Sequence, residues 1–218
     1  MKIRDAIDRF EFERPLWKRG VRRVAGVDEA GRGPLAGPVV AAAVVLPSAW
    51  LDEGLPPALE GLNDSKQLTE AQREQFFTVL MAAADVQFAI ARVEAGEIDR
   101  INILRATDQA MNAALARLHP TPEHVLVDGH AVRSLRFPQT ALVKGDARSY
   151  SIAAASVLAK VTRDRLLCAY DRQWPAYGFA QHKGYGTPRH LAALAAHGPC
   201  PIHRRTFAPL KPVERELL

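Results

Sequence analysis

Cysteine is scarce in this sequence, and long apolar runs are missing from it. The two cysteines, Cys168 and Cys200, fit neither a framework of several disulfides nor the paired CxxC spacing of a zinc site. We therefore expect free thiols and a reducing compartment. Residues 1–19 lack the apolar core of a signal peptide, and no stretch reaches the roughly 18 consecutive apolar residues of a membrane span. These absences predict a cytoplasmic protein that does not associate with membranes.

The excess of positive charge is small. Lysine and arginine total 29 against 24 acidic residues, which gives a formal charge of +5 and a weak bias toward polyanionic partners. A chain of 218 residues with 48% hydrophobic residues is long enough to bury a substantial core. The composition therefore predicts one main domain, which we expect to be monomeric.

The hydrophobic pattern predicts three early strands, after which helices alternate with shorter strands. The predicted strands are 21–27, 38–46, 86–93 and 125–127, and the predicted helices are 69–84, 101–118, 149–174 and 188–196. This order indicates an α/β fold with a central mixed sheet flanked by helices. Residues 1–20 are then an N-terminal extension, 21–207 the main domain with a small helical C-terminal part, and 208–218 a tail.

Three aspartates each follow an apolar, strand-like run: Asp28, Asp128 and Asp146. The ends of neighbouring strands lie side by side, so these carboxylates can meet at one edge of a sheet. Their mutual repulsion would favour a bound cation, and oxygen ligands favour Mg²⁺ or Mn²⁺ over zinc. Two such ions suit phosphodiester hydrolysis. The alternative is that each aspartate only caps the next turn or helix, which is less plausible for three together with the adjacent Glu29.

The Asp28-Glu29 pair poses a geometric problem, because consecutive residues in a strand point to opposite faces of the sheet. Either the strand breaks at Glu29, which the following glycines favour, or Glu29 contributes partly through its main-chain carbonyl.

Several loop residues could bind a nucleic acid. In Gly31-Arg32-Gly33 the glycines would let a sugar-phosphate approach the backbone while the guanidinium reaches a phosphate, although a simple tight turn is the alternative. Lys66 and Lys183 lie in polar loops, where the usual alternative is a lysine that is simply solvated. Tyr185 could stack on a base or sugar.

Two further charged positions remain open. Asp164 follows Lys160 by four residues, so it either forms an ordinary helical ion pair or supplies a charge just behind the metal ligands. The triplet His203-Arg204-Arg205 is typical of a solvated surface.

Six ordered motifs together resemble the bacterial ribonuclease HII family, the type 2 ribonucleases H. They are GVDEAGRGPLAGPV at 26–39, NDSKQL at 63–68, INILRAT at 101–107, VDG at 127–129, KGD at 144–146 leading into SIAAASVLAKV at 151–161, and HKGYGT at 182–187. The resemblance covers roughly residues 24–207. It implies a ribonuclease H-like fold and an endonuclease that hydrolyses the RNA strand of RNA/DNA hybrids. It also implies cleavage 5′ of single ribonucleotides in duplex DNA, leaving 3′-hydroxyl and 5′-phosphate ends, with a role in ribonucleotide removal.

The resemblance also implies roles for individual residues. Asp28, Glu29, Asp128 and Asp146 would form the acidic site for Mn²⁺ or Mg²⁺. The Gly31-Arg32-Gly33 element would contact the ribonucleotide and its 2′-hydroxyl, a group that can mark a lone ribonucleotide chemically. Tyr185 would pack at the RNA-to-DNA junction, and Lys66, Lys183 and Lys160 would be phosphate or structural contacts.

Two features favour type 2 over type 3 relatives, which carry a large extra N-terminal domain and a glutamate-rich acidic set. Only some 20 residues precede the first predicted strand, and the acidic set contains three aspartates and one glutamate. No glutamine-plus-paired-aromatic motif is present at the tail, so we expect no sliding-clamp partner. The competing hypotheses are a non-catalytic hybrid-binding protein and another nuclease on the same fold.

Overall fold

The computed structural model describes residues 8–211, which form one five-stranded sheet and eight α-helices. The strands are β1 (Val24–Ala30), β2 (Val39–Val45), β3 (Gln87–Val93), β4 (His124–Asp128) and β5 (Gln139–Leu142). The helices are α1 (Glu13–Lys18), α2 (Ala49–Glu53), α3 (Glu70–Ala82), α4 (Ala95–Ile101), α5 (Ile103–Ala116), α6 (Tyr150–Gln173), α7 (Phe179–His182) and α8 (Pro188–His197). Two 3-10 turns span Pro57–Leu59 and Gly145–Ala147.

The sheet is mixed, as predicted, with strand order β3-β2-β1-β4-β5. β1 and β3 run antiparallel to β2, whereas β1, β4 and β5 run parallel to one another. The carboxyl ends of these three parallel strands therefore lie next to each other at one edge of the sheet. This edge is where Asp28 and Asp128 lie.

The sequence of β2 explains its central position. All seven residues, VVAAAVV, are buried, as is typical of a strand covered by helices on both faces. Val40 and Val44 belong to the apolar cluster that packs against α6, and Val39 and Ala43 belong to the cluster that packs against α5. Alternation along one strand thus supplies both halves of the core.

Helix α6 approaches β1 closely because Gly26 has no side chain. A Cβ at Gly26 would lie 2.2 Å from the main-chain carbonyl carbon of Ser151, in the first turn of α6. The alanines of α6, including Ala153, Ala154 and Ala155, are fully buried. The small residues on β1 and α6 therefore set the distance between the helix and the sheet. The same distance determines how close α6 lies to Asp28.

The short elements differ from the predictions. Helices α1, α2, α4 and α7 were not predicted, and β1 extends through Ala30 instead of ending at Val27. Each of these helices has at most seven residues, too few to show a clear helical period. Asp28 and Glu29 accordingly lie within β1 and not after it.

The N-terminal segment packs on the domain where the structure describes it. Phe10 is 2% exposed and belongs to the core cluster under α6, and Glu13 of α1 is also buried. The predicted tail lies mostly outside the described residues. Cys168 and Cys200 are free thiols, as predicted. Between residues 8 and 211, no helix is long and apolar enough to cross a membrane.

The helical C-terminal part is present as predicted. A separate apolar cluster joins Leu167 near the end of α6 to Phe179 of α7 and Ala193 of α8. Ala36, from the loop between β1 and β2, belongs to the same cluster. The C-terminal part is thus packed against the segment that follows Asp28 and Glu29.

The close approach at Gly26 predicts that Gly26→Ala destabilises the fold by about 3 kcal/mol, at the upper end of overpacking costs, because the atoms it meets are main chain. Urea denaturation measures the free energy of unfolding. Gly96→Ala is the matched control, since Gly96 lies in α4 with open space around a Cβ, and alanine there should be neutral or stabilising by up to about 1 kcal/mol. Equal stabilities of the two variants would contradict this account of the packing.

Candidate active site

Three carboxylates meet at the edge of the sheet. Asp28 comes from β1, Asp128 is the last residue of β4, and Asp146 lies in the 3-10 turn after β5. One oxygen of each lies within 4.8 Å of one oxygen of the others. The parallel pairing of β1, β4 and β5 produces this arrangement, because it brings the three strand ends side by side.

Burial and mutual repulsion make it costly to ionise all these groups together. Burial raises the pKa of Asp28 well above its usual range, and the neighbouring Glu29 and Asp128 raise it further. Burial, Asp128 and Asp64 raise the pKa of Asp146 to about 6. The pKa of Glu29 is also raised by burial, against the opposing effect of Arg32. A positive charge between the carboxylates would remove most of this cost.

The carboxylates are held by hydrogen bonds that leave some oxygens free. The amide of Gly145 donates to Asp128 Oδ1 at 2.7 Å, and this joins the end of β4 to the turn that carries Asp146. The Glu29 amide donates to Asp28 Oδ1 at 2.7 Å. The Ser156 side chain of α6 partly offsets the rise in the pKa of Asp28, and its hydroxyl lies 2.9 Å from that of Ser65. The site is thus fixed from the sheet and from α6.

Glu29 does not belong to this cluster of three. Strand β1 continues through Glu29, which pairs with Ala41 of β2, so the expectation that the strand breaks at Glu29 is wrong. Regular alternation directs Asp28 toward α6 and turns Glu29 away from it, and Glu29 lies at the border of two grooves, one with Met111 of α5 and Asp128, the other with Arg32 and Lys66. Glu29 therefore influences the cluster through its charge.

A groove of about 250 Å³ lies beside the acidic cluster. Its lining includes Gly31, Arg32, Gly33, Lys66 and Tyr185, which are five of the six predicted substrate contacts. Tyr185 is 49% exposed, and its Cε1 atom lies 3.8 Å from the position that a Cβ at Gly33 would occupy. Arg32 Nη1 lies 3.3 Å from Glu29 Oε1 at the mouth of the groove.

Lys66 connects the groove to the acidic cluster. Its ammonium nitrogen lies 3.8 Å from Asp146 Oδ2. Burial lowers the pKa of Lys66, but Asp64, Asp146 and the two remaining aspartates of the cluster outweigh this and leave it raised. Lys66 therefore carries its positive charge next to the carboxylates.

Lys183 and Asp164 do not line this groove. The Lys183 ammonium group donates to the carbonyl of Ala180 in the preceding helix α7, at 2.6 Å. Asp164 forms the ordinary helical pair with Lys160, at 2.7 Å. Its oxygens do not join those of the acidic cluster.

Two arginines are buried, which the sequence did not indicate. Arg163 of α6 and Arg204 near the C terminus are at most 1% exposed, and both donate to main-chain carbonyls of the loop between β1 and β2. The interpretation of 203–205 as a solvated basic surface is therefore wrong for His203 and Arg204. A basic triplet in a polar stretch carries no local signal of burial, because the partners are about 170 residues away in the chain.

Comparisons with known proteins show the family of this chain. The family model for Ribonuclease HII matches residues 25–210. The Ribonuclease HII of Geobacillus kaustophilus (strain HTA426) is 56% identical over 202 residues, covering 93% of this chain and 74% of that protein.

Solved structures share the fold. The ribonuclease H2 from Pyrococcus horikoshii OT3 is 31% identical with a TM-score of 0.71, and the match covers 86% of this chain and 95% of that one. Bst-RNase HIII, solved in complex with Mn²⁺, superimposes with a TM-score of 0.64 at 19% identity, over 88% of this chain and 68% of that one, which shows likeness of fold alone. The predicted ribonuclease H-like fold is confirmed. The family match covers most of the chain, including the three clustered aspartates, and the chain therefore belongs to the ribonuclease HII family of type 2 ribonuclease H endonucleases.

Proposed function

We propose that this enzyme hydrolyses the RNA strand of RNA/DNA hybrids and cuts 5′ of a single ribonucleotide embedded in duplex DNA, leaving 3′-hydroxyl and 5′-phosphate ends. The observation that carries the proposal is the position of the acidic cluster directly beside the groove that contains Arg32 and Tyr185. Such an activity would remove ribonucleotides from DNA.

The acidic cluster fits Mn²⁺ or Mg²⁺. Its donors are all carboxylate oxygens, two of the three aspartates are at most 5% exposed, and Lys66 relieves their repulsion only in part. Asp28, Asp128 and Asp146 would hold the metal, with Glu29 as a fourth acid at the border, and we propose two ions. When bound, the ions supply an activated water and stabilise the leaving oxygen. The Mn²⁺ complex of a protein with the same fold is consistent with this assignment.

The chain's own residues orient the substrate beside this site. Lys66 places a positive charge next to Asp146, where it can bind a phosphate adjacent to the bond that is cut. Gly31 and Gly33 leave room for a sugar to approach the backbone, and Arg32 has a half-exposed side chain at the groove mouth. Tyr185 presents an exposed ring on which the next sugar or base can stack.

We propose that selectivity comes from reading the 2′-hydroxyl at the 31–33 turn. A ribonucleotide differs from its DNA neighbours chiefly by this group, which both donates and accepts hydrogen bonds. A site that hydrogen-bonds the 2′-hydroxyl is left with unpaired polar groups when a deoxynucleotide binds. This rejects the wrong nucleotide more strongly than an apolar pocket could.

Asp128→Asn should reduce cleavage of a labelled duplex containing one ribonucleotide by at least about 100-fold, because a neutral amide is a poor ligand for a hard divalent cation. Binding of the duplex should change little in a filter or anisotropy assay. Asp52→Asn, on an exposed position of α2, is the matched control and should cleave like the parent. Near-normal turnover by Asp128→Asn would disprove the assignment, and cleavage of all-DNA duplexes would favour another nuclease activity.

Asp146→Asn should stabilise the metal-free protein at pH 7.5 by about 1–2 kcal/mol. The folded-state pKa of Asp146, about 6, exceeds its ordinary value of 3.8, so the native state binds the extra proton between these values. The parent in chelator therefore loses this contribution to stability as pH rises from about 4 to above 6, and the variant does not. Urea denaturation across this range measures the difference. A variant less stable than the parent at pH 7.5 without metal would contradict the repulsion that we infer.

Arg32→Ala and Tyr185→Ala should each lower the preference for a duplex with one ribonucleotide over an all-DNA duplex at least about ten-fold, or about 1.4 kcal/mol. The measurement is the ratio of kcat/KM values for the two duplexes. Arg92→Ala, an exposed arginine on β3, serves as the control for loss of positive charge. Unchanged ratios in both groove variants would remove the recognition role from these residues.

A further inference from the structure

Arg204 is a buried cation whose hydrogen bonds all go to main-chain carbonyls of the 31–37 loop. Its Nη1 donates to the carbonyl of Arg32 at 2.9 Å, and its Nη2 donates to that of Gly31 at 2.5 Å. Nε and Nη2 both donate to the carbonyl of Gly37, at 3.0 and 2.8 Å. The guanidinium is fully buried and stacks on Phe207 with 5.0 Å to the ring centroid. One rigid fork therefore ties together the two ends of the loop that carries Arg32.

His203, the residue before Arg204, is linked through His190 to Tyr185, the groove residue that lies outside the 31–37 loop. The Cys200 amide donates to His203 Nδ1 at 2.9 Å, which leaves the His203 proton on Nε2. His203 Nε2 lies 2.9 Å from His190 Nε2, and His190 Nδ1 lies 2.9 Å from the carbonyl of Tyr185. With both rings neutral, His203 donates to His190, and His190 donates to Tyr185. Burial and His190 lower the pKa of His203 to about 4, which keeps this arrangement at neutral pH.

Backbone contacts join the same three segments. The Arg204 amide donates to the Leu35 carbonyl at 2.8 Å, and the Leu35 amide donates to the Gly184 carbonyl at 2.9 Å. The Gly37 amide donates to the Ile202 carbonyl at 2.8 Å. The 31–37 loop contains no helix or strand, so these contacts, with those of Arg204 and Arg163, determine where its carbonyls point.

We propose that Arg204 and His203 are positioning residues for ribonucleotide recognition. Arg204 fixes the Gly31-Arg32-Gly33 turn, and His203 fixes the main chain at Tyr185 through His190. The turn and Tyr185 are therefore both in place before the substrate binds. The inference rests on the proposed recognition roles of Arg32 and Tyr185.

The distribution of charge supports a positioning role. A buried cation costs stability unless every donor is paired, and here the acceptors are carbonyls with no carboxylate among them. An apolar side chain could fill the same volume without this cost, but it could not orient three carbonyls at once. The Arg32 side chain remains half exposed while its own carbonyl is fixed. A misplacement of about 1 Å in such a site can cost about 100-fold in rate.

The central experiment is a double-mutant cycle between Arg204→Lys and Arg32→Ala, measured as kcat/KM on a duplex with one ribonucleotide. Lysine keeps the positive charge but lacks the planar guanidinium with its several donors. We expect the variant to fold, because Arg163 still donates to the carbonyls of Ala36, Pro38 and Lys183. We expect Arg204→Lys to lower kcat/KM about 10- to 100-fold in the parent, but no more than about three-fold in the Arg32→Ala background. Mn²⁺ affinity, measured by calorimetry, should change less than about two-fold.

A second cycle keeps the proposal testable if Arg204→Lys does not fold. His203→Asn retains an acceptor for the Cys200 amide and loses the contact with His190, so its loss in kcat/KM should largely disappear in the Tyr185→Ala background. Leu80→Ala, a fully buried change in α3 away from the groove, controls for lost stability and should leave kcat/KM of the folded protein at the parent value.

The outcomes distinguish a failure of the proposed recognition roles from a failure of the positioning role alone. If Arg32→Ala and Tyr185→Ala behave like the parent, the proposed recognition roles fail, and this inference fails with them. If those variants are impaired while Arg204→Lys and His203→Asn match the parent, or if the losses multiply in full, only the positioning role is overturned.

Discussion

Repulsion among the carboxylates at the sheet edge is the constraint that the site must satisfy. Strands β1 and β4 pair in parallel and carry Asp28 and Asp128. The turn after β5, which pairs in parallel with β4, adds Asp146. The backbone pairing energy of the sheet and the burial of α6 hold these groups together against their charges. The repulsion lowers the stability of the folded protein at this edge of the sheet, and in return several carboxylate oxygens lie close together.

The packing of α6 determines how this edge is used. Because Gly26 lets the helix approach β1, Ser156 comes near enough to Asp28 to lower the pKa of its carboxyl group. The same helix carries Arg163, which binds carbonyls at the end of the loop beyond Asp28, while Arg204 binds carbonyls at both ends of that loop. The acidic cluster and the neighbouring groove are therefore built on the same scaffold, and a change in helix packing would disturb both.

Much of this arrangement could be predicted from the sequence. The long elements have a clear period, and Asp28, Asp128 and Asp146 each follow an apolar run, so both the mixed sheet and the meeting of the carboxylates could be expected. The direction of Glu29 could not, because the glycines after it suggested a broken strand, whereas pairing with β2 keeps the strand regular through Ala30.

The burial of the C-terminal residues was the least predictable feature. His203 and Arg204 have the local sequence of an exposed basic segment, and their partners lie in distant loops. Tertiary contacts of this kind outweigh local pattern, since a guanidinium can be buried once enough carbonyls surround it. Lys183 shows a similar limit, because its ammonium group donates to the carbonyl of Ala180, a contact that the local sequence does not indicate.

The central claim is that the clustered aspartates form a metal site, and anomalous diffraction from a crystal soaked in Mn²⁺ tests it most directly. The account predicts an anomalous peak between Asp28, Asp128 and Asp146, about 2.0–2.3 Å from a carboxylate oxygen of each. A soaked crystal with an accessible groove and no peak at these three residues, or with peaks only elsewhere on the molecule, would contradict it.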